Sequence, residues 1–315
     1  MGLRAAVRWP WCVVALAWAS GACYQPAPGI GAPCDERAIC PTGQTCVAGR
    51  CQIGPGEIDA AEPIDSAVAD AARLPDASPD ALPTTWSTPV AIVSINTNGT
   101  ESDPSFTADR LVVVFTTGDD MFIGTRASTT AAFTVTALTV LNSTARERSP
   151  EISPDGATIY FTSERVVAGN ADVYMATRGV AGFEAPVLVP ELTSTSSEGD
   201  VAISPDGLTA ITSRSTFYRA TRASTAAPWG PLVSLGNIFG TNPAAPSLTA
   251  AGDLYFHAGT DRDLFVARKD GATYATPTPV TELNTVGSRD AAPFIAGDER
   301  HLMFDRNGEL YESTR

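Results

Sequence analysis

From Trp86 to the last residue, apolar positions fall in short blocks rather than long stripes. Val112-Val113-Val114-Phe115 and Ile159-Tyr160-Phe161 are β-branched or aromatic runs bounded by turn-forming residues, the composition of short strands. Ser-Pro-Asp-Gly at 153–156 and again at 204–207 sets Pro second, Asp third and Gly fourth, which suits a type I turn between antiparallel strands. Around these turns three markers recur in a fixed order. An aromatic opens a Pro- and Val-rich segment at Trp86, Phe133, Phe183, Trp229 and Tyr274, spaced by 47, 50, 46 and 45 residues. A turn-centred unit follows from Pro104, Pro150, Val201, Pro246 and Pro293. A short strand then ends in Arg126, Arg178, Arg222, Arg268 or Arg315.

Each period therefore holds four short strands: one before the turn, one after it, one ending in Arg and one opening with the aromatic. Four strands repeated every ~45 residues is the arrangement of a β-propeller. The phase predicts the closure. The aromatic segment 86–97 has no blade before it, and the last Arg-ended strand has no outer partner after it. Pairing the two closes a five-bladed ring and leaves no open sheet edge at the seam. A solenoid would need atypical caps at both ends, and none is visible. The expected fold is all-β: a five-bladed propeller of four-stranded antiparallel blades over 85–315, closed by its N-terminal strand.

Upstream the pattern changes. Residues 53–84 are dominated by Ala, Asp and Pro with no sustained apolar stripe, a composition expected to stay disordered as an acidic, extended linker. Residues 34–52 carry Cys34, Cys40, Cys46 and Cys51 as C-x5-C-x5-C-x4-C. Zinc ligands would be paired more closely, as C-x2-4-C, and no His is nearby, so a segment held by two disulfides is expected. Residues 23–33 are a Pro/Gly-rich tether. Residues 1–22 read as an export signal: Arg4 and Arg8, an apolar run from Trp9 to Ala19, then Ser20-Gly21-Ala22. That run is too short to span a bilayer, and no later segment approaches ~18 uninterrupted apolar residues. Cys23 follows directly. It resembles the lipid-attachment Cys of a bacterial lipoprotein, with Ser20 where Leu is usual; ordinary cleavage would instead leave a free thiol there.

SPDG followed by YFTS and then D-V-Y-M-A-T-R, within 147–178, resembles the TolB-type, WD40-like propeller repeat of bacterial exported proteins. The resemblance covers 85–315; the fourth and fifth repeats lack SPDG, and the Trp-Asp and Gly-His pairs of WD repeats are absent. It implies an exported propeller at the periplasm or cell surface that binds a protein of the envelope, or a ligand, without catalysis. No G-x-S-x-G is present, which removes the propeller-peptidase reading. Charge agrees with export: 35 acidic residues against 21 Lys and Arg give a net −14, unsuited to nucleic acid.

Candidate chemistry is sparse. Glu101, Glu147 and Glu198 open the first strands of blades one to three, where Asn242 and Arg289 stand in blades four and five. First strands line a propeller's channel, so three carboxylates with Arg289 are expected around one mouth, to meet a partner or ligand. No cofactor is called for; Ca²⁺ is the cation such an oxygen ring would suit. The alternatives are blade-to-blade stabilisation, a glycan hydrolase using paired carboxylates, and a purely structural envelope component. His257 and His301 are expected on strand surfaces. The five arginines are expected to bond an adjacent blade's carboxylate or carbonyls, and the five aromatics to pack.

Overall fold

The computed structural model describes residues 85–315 throughout and, upstream, only two strands, Gln44–Val47 and Arg50–Ile53. These two strands pair as an antiparallel hairpin in which Cys46 stands opposite Cys51. The expectations for the signal, the tether, Cys23, Cys34, Cys40 and the linker lie outside the described residues.

The larger unit is a five-bladed propeller. From the channel outward, blade 1 is Glu101–Phe106, Val112–Thr117, Asp120–Thr125 and Thr134–Ala137. Blade 2 is Glu147–Ile152, Thr158–Val167, Asn170–Gly179 and Val187–Leu188, with Gly182–Phe183 folding back on the end of its third strand. Blade 3 is Val201–Ile203, Thr209–Ser213, Phe217–Thr221 and Val233–Ser234. Blade 4 is Ala244–Leu248, Leu254–Ala258, Asp263–Ala267 and Thr278–Pro279. Blade 5 is Asp290–Ile295, His301–Arg306 and Glu309–Thr314, completed by Val90–Ala91 from the other end of the chain. Tyr311 pairs with Ala91 and Glu312 with Val90, as the phase of the repeat predicts. Among the described residues no helix is long and apolar enough to cross a membrane.

The three sequence markers meet in space, which explains why they recur together. At the SPDG turns the Gly156 and Gly207 amides donate to Ser153 and Ser204 carbonyls at 2.8 and 2.7 Å, and both glycines take a positive φ, +73° and +71°. Arg178 and Arg222 Nε donate to the Gly156 and Gly207 carbonyls at 2.9 and 2.7 Å. The same guanidinium groups lie over Phe183 and Trp229, 4.3 and 4.1 Å from the ring centres. Arg126 and Arg315 repeat the arrangement with Arg110 and Glu299 carbonyls and with Phe133 and Trp86. The arginines therefore clamp turn to outer strand within their own blade, correcting the expectation of an adjacent-blade partner. Arg268 departs: it bonds Asp253 at 2.7 Å and reaches Glu299 of blade 5 at 3.0 Å.

Between blades the core is divided into five apolar clusters, one for each pair of neighbouring blades. Phe217, Phe239 and Phe256 meet edge-to-face at 5.0–5.5 Å between blades 3 and 4, and Trp86 packs with Val266, Leu283 and Phe304 at the seam.

Candidate functional site

The carboxylates singled out in the sequence are inside the blades. Glu101, Glu147 and Glu198 are all 0 % exposed. Each is tied to a hydroxyl four residues upstream: Thr97, Ser143 and Ser194 donate to them through Oγ at 2.5, 2.6 and 2.6 Å, and through the backbone amide at 3.2, 3.0 and 3.2 Å. Arg165 and Arg214 fold back from the ends of the second strands onto Glu147 and Glu198 at 3.3 and 2.9 Å. Strand register also corrects the last two blades. The counterpart of these residues in blade 5 is Asp290, not Arg289, and in blade 4 Pro243, not Asn242. Asp290 accepts from Thr285 N–H at 2.6 Å and from Arg306 at 2.6 Å, so it repeats the lock. The signal was present as Ser/Thr-x3-Glu, in TNGTE, STARE and STSSE. Arg289, with a 40 % exposed side chain, bonds Asp305 at 3.2 Å.

The channel itself is built by a bulge. In blades 1, 2, 4 and 5 the first strand slips register just before a proline, and Asp103, Ser149, Ala245 and Ala292 take φ between 47 and 52°. One extra residue there re-aims the chain. The bulged amides turn toward the preceding blade: Ser149 N–H to Asp103 at 3.4 Å, Ala245 N–H to Asp200 at 2.8 Å, and Ala292 N–H to His257 Nδ1 at 3.1 Å. His257 is thus buried between blades rather than on a strand surface, and burial holds its pKa down to about 4. His301 lies at the opposite end of its blade, half-buried at the channel's wide mouth.

The narrow end of the channel collects Asp103, Asp200 and Glu151 with no Lys or Arg among its lining residues. Burial pushes Asp103 up to about 6, with the Asp200 and Asp305 charges adding to the shift and bonds from Ser149 and Thr116 opposing it. A raised folded pKa means that this side chain favours the fold most below its ordinary 3.8 and loses that contribution as pH rises through about 6. Asp103→Asn is therefore expected to be more stable than wild type at pH 7.5, by on the order of 1 kcal/mol, with the gain disappearing by pH 4. Paired denaturant titrations at the two pH values measure it.

At the other end, on the face of the SPDG turns, the channel widens into a cavity of about 880 Å³. All five first strands reach it: Phe106, Ile152, Ile203, Leu248 and Ile295 form its apolar wall, with Phe294 packed edge-on to Phe106 at 4.7 Å. Arg110, Arg222 and His301 line it together with Asp155, Asp206 and Asp298.

Glu151 stands where the wide and narrow parts join, lining both. It is 8 % exposed, and burial pushes its carboxyl well above the usual carboxylate range. At the matching positions of blades 1 and 4, Ser105 and Ser247 accept the next blade's amide at 2.9 and 3.0 Å. Glu151 makes the same contact to Ile203 N–H at 3.5 Å, and its other oxygen has no hydrogen-bond partner among the described residues. A serine does this stitching better and without burying a carboxyl. Sequence reading passed Glu151 over because a bulge, which the alternation of residues does not reveal, turns it inward.

No family model matches the chain, and no curated protein sequence does. Among solved structures it is similar to a protein assigned as TolB from Agrobacterium tumefaciens, with 17 % identity, 69 % of this chain and 75 % of that one covered, and a TM-score of 0.47. TolB from Acinetobacter baumannii is similar at 16 % identity and a TM-score of 0.45, over 70 % of this chain and 56 % of that one. The match thus spans little more than half of the second TolB. The PQQ-bound aldose sugar dehydrogenase of Streptomyces coelicolor is similar at 11 % identity and a TM-score of 0.43, over 74 % of this chain and 99 % of that one. TolB structures and a sugar dehydrogenase both stand among the similar structures. The fold itself rests on the strand pairing.

Proposed function

We propose that the propeller is a non-enzymatic binding module of an exported, lipid-anchored envelope protein, and that its ligand is taken up in the wide end of the channel. The observation that carries this is the cavity of about 880 Å³. It has an apolar wall from all five blades and one buried carboxyl, Glu151, whose second oxygen has no hydrogen-bond partner among the described residues, the usual make-up of a ligand pocket. The segments 1–22 and 23–33 support export and tethering through Cys23. Binding is favoured over glycan hydrolysis because the carboxylates marked for an acid pair, Glu101, Glu147 and Glu198, are committed to blade structure.

The test is uptake of a neutral apolar fluorophore, N-phenyl-1-naphthylamine, by the full chain. Wild type is expected to bind it saturably, and Ile203→Trp, which fills the funnel from its wall, to weaken binding at least tenfold with an unchanged melting temperature. Equal binding by wild type and Ile203→Trp, or none by either, rejects the funnel as the site. A second reading, a protein partner on the opposite face, is favoured by Val93, Val140 and Val286, which are 81, 56 and 104 % exposed on blade-to-blade connections.

A further inference from the structure

The funnel's floor has a chemistry more specific than its wall. Glu151 is buried at a position where blades 1 and 4 use serine, and it gains only a 3.5 Å contact for that burial. A residue that breaks a local rule without a structural return points to a ligand. Its surroundings define the ligand's charge. Asp103 and Asp200 share the narrow end with it, and no Lys or Arg lines that part. The ligand's body is defined by Phe106, Ile203 and Leu248 on the wall above.

From this geometry we propose that the pocket is selective for an amphiphile bearing an ammonium group, with the ammonium on Glu151 and the apolar body along the funnel wall. The inference rests on the funnel being the binding site. Burial raises the Glu151 pKa, and an ammonium beside it favours the ionised carboxylate, so the buried group becomes half of an ion pair. Asp103 and Asp200 stabilise the same charge from below. A neutral alcohol of equal length gains only the wall contacts, and a carboxylate of equal length meets repulsion at the floor.

Displacement of N-phenyl-1-naphthylamine by decylamine, decanol and decanoate at pH 7.5, each below its micellar concentration, separates the three. Decylamine is expected to displace the probe from wild type at roughly tenfold lower concentration than decanol, as a desolvated charge pair warrants, and decanoate to be weakest. Glu151→Gln is expected to bring decylamine to decanol's concentration and leave decanol unchanged. Glu151→Ser, which restores the stitch of blades 1 and 4, is expected to do the same with a melting temperature at or above wild type. Equal displacement by decylamine and decanol on wild type, or a decylamine preference that survives both substitutions, overturns the proposal. If decanol still competes and Ile203→Trp still blocks it, the funnel stands without its ammonium selectivity; if none of the three competes, the funnel itself falls.

Discussion

Removing residues 86–97 is expected to unfold the propeller, while removing 53–82 leaves its thermal transition essentially unchanged. The closing segment contributes only a two-residue strand, Val90–Ala91, to the sheet. Its weight lies in side chains: Trp86, Ile92 and Ile95 are 8, 7 and 1 % exposed. Burying three such groups is worth about 5–9 kcal/mol, comparable to the whole stability of an ordinary domain. The deletion also strips Leu310 of its bonds to Asn96, strips Arg315 of the Trp86 ring, and opens an edge on Glu309–Thr314. Circular dichroism melts of the two deletions against the full chain measure the contrast. A truncation of 86–97 that melts with wild type would remove the basis for ring closure.

Glu147→Ala is the second large effect. This carboxylate takes hydrogen bonds from Ser143 and Ser163 and the charge of Arg165, and Arg165 reaches on to the Leu141 carbonyl at 2.6 Å. Truncating it leaves a guanidinium and two hydroxyls facing an enclosed hole. Breaking a buried pair from one side costs about 3–5 kcal/mol. Arg165→Ala alone is expected to cost less, because the carboxylate keeps its hydroxyl and amide donors, and the double variant less than the sum, since the two share one network. Urea titrations of the four proteins give the coupling directly. A loss below about 1 kcal/mol for Glu147→Ala would mean a solvated surface carboxylate, and would return Glu147 to the channel mouth that its sequence position first suggested.

The difference between those two pictures of Glu147 shows where the sequence stops being readable. Blade count, phase and closure were legible because they depend on local chemistry repeated five times: a turn, a terminal Arg, an aromatic. Even where SPDG is missing the same turn forms, with Arg110 and Glu299 at φ of 58 and 57° in the place of glycine. The channel was not legible, because a bulge before each proline adds a residue and inverts which side chains face inward. Glu151, two residues past the bulge of blade 2, therefore faces the channel, while Glu101 and Glu147, two residues before theirs, are buried in blade interiors. Glu198 is buried in the same way in blade 3, where the first strand runs without a bulge. Asn242 and Arg289 stand one residue before the true counterparts, Pro243 and Asp290, which precede their blade's proline by three residues as Glu101 and Glu147 do. His257 was misjudged for a related reason: its Nδ1 serves an amide 35 residues away, and only the packing of blade 5 on blade 4 brings them together.

The proposed function places the ligand at the wide end of the channel. Hydrogen–deuterium exchange of the full chain, with and without saturating N-phenyl-1-naphthylamine, locates the ligand without any substitution. Protection is expected in 150–157, 201–207 and 294–299, the strand ends and turns around the funnel. Protection confined instead to the blade-to-blade connections at 93–100 and 139–146, with the funnel turns exchanging as before, would contradict it.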